Sequence, residues 1–181
     1  MSSIRTELYN FLKAIISGKD YTDYMDTERT FTGISEVCYF GFWNSNITLT
    51  DNNVIPLPAV LFEINQNANF RTSLKTTQLD TVGNIKDNVV FTLHILHSKL
   101  NSINEQPYID AMDMAEKVLH EIQGKSCAGV QFIRKIDEYY DADSSVILDY
   151  QLQFTTVLHT SGTSDSVQVD PFTNEIQISI E

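Results

Sequence analysis

The chain has 181 residues, 42% of them hydrophobic, with 12 Lys and Arg against 24 Asp and Glu and a formal net charge of −12. A chain of this length removes roughly 70% of its unfolded surface from water, so a single core can form without disulfides or a structural metal. The scattered basic residues argue against a phosphate-binding surface, which needs clustered Lys and Arg. No uncharged apolar run approaches the roughly 20 residues of a membrane span.

Ser2 or Ser3 is placed to cap a helix over residues 3–17, where Ile4, Leu8, Phe11, Leu12 and Ile15 recur at helical spacing. Its apolar face is expected to pack on the chain's own sheet, and Gly18 suits its C-terminal end. Glu7, Asn10 and Lys13 interrupt any signal-peptide core. Residues 18–33 read as a long polar connection. Residues 34–43, rich in β-branched and aromatic side chains, predict a strand, and Ala59–Ile64, entered through Pro56 and Pro58, predicts another.

Residues 70–79 alternate weakly, as an edge strand or projecting arm does, whereas residues 88–97 are apolar on both faces and predict a central, covered strand. Over residues 107–123 Pro107 fits the first turn of an amphipathic helix. Tyr108, Met112, Ala115, Leu119 and Ile122 form its stripe, flanked by Ile109, Ala111 and Val118. Gly124 ends it. Residues 129–140 and 146–158 predict a long hairpin, with Val146, Leu148, Tyr150, Leu152, Phe154, Thr156 and Leu158 on one face.

The fold class is therefore α+β: a mixed or antiparallel sheet, an N-terminal helix and one central amphipathic helix packed on it, and a C-terminal hairpin. Residues 1–160 read as a single domain. Residues 161–181 read as a polar extension whose last stretch, EIQISIE, has the alternation of a terminal strand.

No catalytic, cofactor-binding or metal-binding set emerges from the pattern. His94 and His97 have a metal-like spacing, but residues three apart on a strand point to opposite faces; His120 and His159 stand apart. Asp137, Glu138, Asp141 and Asp143 lack the Gly and distal Glu of a calcium loop and read as hairpin-turn residues. Cys38 and Cys127 lack zinc or dithiol spacing and read as two buried small hydrophobes. Tyr39, Phe40, Phe42 and Trp43 are not accompanied by Lys or Arg, so core packing is preferred to nucleic-acid stacking, with Trp43 near enough to the strand end to reach an interface. Local signatures of dinucleotide, phosphate-loop, esterase and zincin chemistry are absent, and the chain is expected not to be an enzyme.

The segments IPLPAVLFEI at 55–64, NVVFTLHILH at 88–97, YIDAMDMAEKVLHEI at 108–122 and RKIDEYYDADSSVILDYQLQFTTVL at 134–158 follow one another in a telling order. That order, and above all the acidic turn leading into an alternating Y-x-L-x-F strand, resembles the tail-terminator and tail-completion proteins of long-tailed bacteriophages. The resemblance covers most of residues 1–160 and implies a structural virion protein without catalytic residues or cofactors, assembled in the host cytoplasm. It implies a homohexameric ring that caps the tail tube, meets the tube protein on one face and the head connector on the other, and lets DNA pass through its lumen without specific binding. The arm at residues 66–88 and the extension at 160–181 would then make contacts between subunits and rings. Two other readings stay open: a head-completion or connector protein of the same neck, and a small thiol-dependent enzyme or binding protein using Cys38, Cys127 and a histidine.

Overall fold

A computed structural model describes residues 4–23, 25–43, 55–64, 78–79, 85–98, 105–141 and 147–160. The chain opens with helix α1 (Ile4–Ser17), followed by the short strands β1 (Tyr21–Thr22) and β2 (Glu28–Arg29). Next come β3 (Tyr39–Phe42), β4 (Ala59–Ile64), β5 (Gln78–Leu79) and β6 (Ile85–Ser98). Helix α2 (Gln106–Ile122) and the hairpin strands β7 (Arg134–Asp141) and β8 (Ile147–Thr160) complete the described elements.

The main sheet has the order β3-β4-β6-β8-β7, with β5 paired to the start of β6. It is mixed, because β3 runs parallel to β4 while the other pairs are antiparallel. As the apolar run predicted, β6 is central. β8 pairs with it over its whole length, and β4 covers only Phe91 to Leu96 of the opposite edge. Both helices lie on one face of this sheet. Leu8, Phe11, Leu12 and Ile15 of α1 are wholly buried there with Phe62, Phe91, Leu93 and Phe154. Aromatic rings run across the strands, with Phe62 to Phe91 at 5.6 Å and Phe91 to Phe154 at 5.4 Å between centroids. Such pairs add to the area they bury.

The α1 terminus is tied off locally. Gly18, at φ 63°, lets Lys19 N–H reach the Ala14 carbonyl at 3.0 Å, and Ile34 N–H donates to the Ile16 carbonyl at 2.9 Å. That second bond brings the two segments so close that a Cβ on Gly33 would collide with the Gly18 backbone and one on Gly18 with the Thr32 carbonyl. α2 has Pro in its first turn, and past its end Gly124 sits at φ 76°. On β8, Leu148, Leu152, Phe154, Thr156 and Leu158 are buried, as the alternation required.

Several expectations need correction. Residues 34–43 form a strand only over Tyr39–Phe42, because Ile34 to Val37 are held in a turn by the Val37 N–H to Ile34 carbonyl bond at 3.0 Å. The stripe of α2 is rotated: Met114 is buried, while Met112 and Ile109 are 53% and 46% exposed. Residues 18–33 are not plain loop, since β1 and β2 pair antiparallel within them. Cys38 is exposed, and only Cys127 is buried. Residues 129–133 do not extend β7; within them Val130 alone makes isolated bridges, to Cys127 and Leu158. Ser2, Ser3, the greater part of the arm, the hairpin turn with Asp143, and residues 161–181 lie outside the described residues.

The Gly18–Gly33 crossing gives a direct test. A left-handed residue other than Gly costs about 1–2 kcal/mol, so Gly124→Ala, whose Cβ meets nothing within 4 Å, should lose about that much in urea unfolding. Gly33→Ala adds a backbone collision and should lose clearly more.

Candidate functional site

The face of the sheet turned away from the helices carries a small apolar cluster and one polar knot. Ala59, Leu61 and Leu96 are buried there, with Trp43, Ile55, Leu57 and Ile147 packed against them. The register places Leu61 beside His94, His94 beside Gln151, and Leu96 beside Asp149. Paired residues share a face, so β4, β6 and β8 bring Glu63, His94 and Asp149 together.

His94 is 4% exposed. Its Nδ1 lies 2.9 Å from Asp149 Oδ2 and its Nε2 lies 3.1 Å from Glu63 Oε2. Trp43 stacks on the ring at 3.9 Å with the planes 3° apart, and Gln151 Nε2 donates to Asp149 Oδ2 at 2.8 Å. Burial is the largest influence on His94 and pulls its pKa down, but the hydrogen bonds and charges of Asp149, then Glu63, outweigh it and leave the pKa raised. When protonated, the ring donates to both carboxylates. Its two nitrogens, engaged by Glu63 of β4 and Asp149 of β8, tie three strands together.

The sequence placed His94 and His97 on opposite faces, and so they lie: His97 pairs with Leu148 across β6 and β8, and its Nδ1 stays local, 3.3 Å from the Ser98 carbonyl. His120 is exposed on α2. Among the described residues no three His, Cys, Asp or Glu side chains are placed to hold a metal ion. In the acidic run, Asp137 Oδ1 accepts the Glu138 N–H at 2.8 Å and Glu138 pairs with Lys135. Of the aromatic run, Phe40 is buried in the core, whereas Phe42 is 61% exposed and stacks on Tyr9 of α1. No helix among the described residues is long and apolar enough to cross a membrane.

Sequence reasoning missed Glu63, Asp149 and Trp43 as partners of His94. It also missed a second buried carboxylate, Asp23, whose Oδ1 accepts N–H groups from Met25 and Thr27 at 3.0 and 3.1 Å and whose Oδ2 accepts that of Ala128 at 3.1 Å. Burial acts to raise its pKa, yet these donors and Arg29 leave it lowered. The β1–β2 hairpin is thereby fastened to the loop after α2. There Tyr21 donates to Glu7 and lies 3.8 Å from Cys127 Sγ. Burial pushes the Cys127 thiol up to about 11, which leaves little thiolate at neutral pH.

The outer strand β7 and the segment leading into it carry exposed apolar side chains. Phe132, Ile136 and Tyr139 are 63%, 49% and 62% exposed, and Phe132 and Ile136 line a groove of about 500 Å³ with Val90, Arg134, Thr155 and Val157. A second cleft, of about 550 Å³, lies between the turn at Gly33 and α2; its Lys117 is paired with Glu36, and Asp113, Glu116 and Glu121 line it together with Ile34, Ser35 and His120. No known protein family matches the chain, and no curated protein matches it in sequence.

Two measurements check these assignments. Because the His94 pKa is raised above 6.5 in the folded chain, its ion pairs stabilise fully below pH 6.5 and fade as the pH rises through the raised value. The fall in Tm from wild type to His94→Gln should therefore be largest below pH 6.5 and shrink at alkaline pH; a difference constant with pH would contradict the assignment. A thiol reagent at neutral pH should label Cys38 in the folded chain and Cys127 only after unfolding. Rapid labelling of folded Cys127 would favour the thiol-enzyme reading.

Proposed function

We propose that the chain is a structural protein of the bacteriophage tail joint, a tail terminator that closes the tail tube as a homohexameric ring and presents its other face to the head connector. The observation that carries this reading is the group of exposed apolar side chains at the β7 margin of the sheet. The helices and the sheet bury their apolar faces against each other. β7, an outermost strand of the main sheet, leaves Ile136 and Tyr139 in water, as the segment just before it leaves Phe132. Exposed apolar side chains grouped on an edge mark a contact surface.

A head-to-tail contact repeated about an axis closes on itself and leaves no open edge within the ring, while its two faces meet different partners. The net charge of −12 suits a lumen through which DNA slides, since like charge suppresses adhesion. The element order, with an N-terminal helix, a central covered strand, one amphipathic helix and a terminal hairpin, agrees with the order that suggested the family.

Light scattering at several concentrations and electron-microscope images of the largest species test the ring directly. The expected result is a closed species of about six subunits with an open centre, which limits tube length when mixed with polymerising tail-tube protein. Ile136→Asp should lower the native mass to that of a monomer while leaving the circular dichroism unchanged. A monomer that neither binds tube ends nor limits tube length overturns the proposal.

A further inference from the structure

The polar knot sets two carboxylates against one imidazole. Asp149 Oδ2 lies 2.9 Å from His94 Nδ1, and Glu63 Oε2 lies 3.1 Å from Nε2. Two carboxylates need two N–H donors, and only the protonated ring supplies both. A neutral ring keeps one N–H and turns a lone pair toward the other carboxylate, so one of the two bonds is lost with the proton.

The surroundings decide which bond that is. The Asp149 side chain is 15% exposed, against 41% for Glu63. Asp149 Oδ1 is buried and has no hydrogen-bond partner among the described residues, so without His94 this carboxylate would keep only the Gln151 amide on Oδ2. A buried carboxylate left short of donors costs far more than one that turns to water. Glu63 is therefore the partner that lets go. Of the other side chains at the ring, Trp43 of β3 and Gln151 of β8 carry no charge. Further titratable groups stand two strands away: Tyr39 of β3, lying against Gly41, and on β7 Tyr139, Asp137 and Asp141, opposite Gln151, Gln153 and Asp149.

We propose that the knot is a proton-operated latch on the β3–β4 margin of the sheet: loss of the His94 proton frees Glu63 and loosens Trp43, while Asp149 and the β6–β8 ladder hold. Glu63 is the next-to-last residue of β4, Trp43 follows the last of β3, and these parallel strands end side by side. Trp43 N–H donates to the Phe62 carbonyl at 2.8 Å, which couples the two ends. Stacked on Trp43 at 3.9 Å, the imidazolium also gains a cation–π attraction that the neutral ring gives up. Burial acts to lower the His94 pKa, and Asp149, then Glu63, raise it past 6.5. The latch is thus closed below pH 6.5 and opens as the pH rises through the raised value. It lies within one subunit and does not rest on the ring reading.

Trp43 is the only tryptophan of the chain, so its fluorescence reports the ring on which it stacks. A stacked imidazolium quenches an indole, and the emission of the full chain should rise in one step as the pH is raised above 6.5. Over the same step, amide protection corrected for intrinsic exchange should fall at Glu63 and Ile64 and stay constant at Leu152 and Phe154. Nitrogen NMR at alkaline pH should place the remaining His94 proton on Nδ1. Glu63→Gln keeps the side-chain volume and should shift the step to lower pH, because the charge that favours the imidazolium is gone. In that variant, protection at Ile64 should no longer change across the step. The absence of a step, a remaining proton on Nε2, or protection at the end of β4 that stays constant in the wild type overturns the latch. An unshifted step in Glu63→Gln does so as well.

Discussion

The pairing of β6 with β8 is the constraint on which the other features hang. It runs without a break from Ile85 opposite Thr160 to Ser98 opposite Ile147. Because side chains alternate along a strand, a slip of one residue would turn every buried group of either strand to the wrong face. On the helix side this register sets Phe91 against Phe154 and so fixes where α1 and α2 bury their apolar faces. On the opposite side the same register sets His94 beside Gln151 and within reach of Asp149. The core and the polar knot are two consequences of one ladder.

The polar knot gives the helix-free face a specificity that an apolar layer alone would lack. A buried imidazolium between two carboxylates is costly to desolvate, and its geometry has to be good to offset that cost. Here Glu63 comes from β4, His94 from β6 and Asp149 from β8, so the ion pairs form only when three strands are in register. Trp43 shields the ring from water and brings the end of β3 to the same point. Asp23 has a comparable role at the other margin of the domain, where its bond to Ala128 N–H holds the β1–β2 hairpin on the loop that follows α2.

These internal ties leave β7 as the place where the proposed assembly would be built. The strand mixes charged residues, a bulge and exposed rings, a combination that repels unspecific edges and still provides apolar area to a matched partner. In the proposed ring each subunit uses two different surfaces, so the contact is head-to-tail and closes by rotation. An acidic surface around such a ring would keep passing DNA from adhering.

Local pattern was enough to read α1, β4, the central place of β6, and the face of β8 that turns inward, because periodicity and caps act over a few residues. It failed for the β1–β2 hairpin, where two-residue strands leave no period to read, and for α2, whose Met112 and Met114 look equally suited to burial until the sheet fixes the angle at which the helix lies. The partners of His94 were out of reach for a different reason: Glu63 and Asp149 are 31 and 55 positions away in the chain. Alternation tells which residues share a face within one strand, but only the register between strands tells which of them meet. The sequence by itself determined the α+β class, the order of its elements and the negative charge. The tertiary structure alone decided the polar knot, the contact of Cys127 with Tyr21, and the groove beside β7, since each depends on side chains brought together by pairing distant segments.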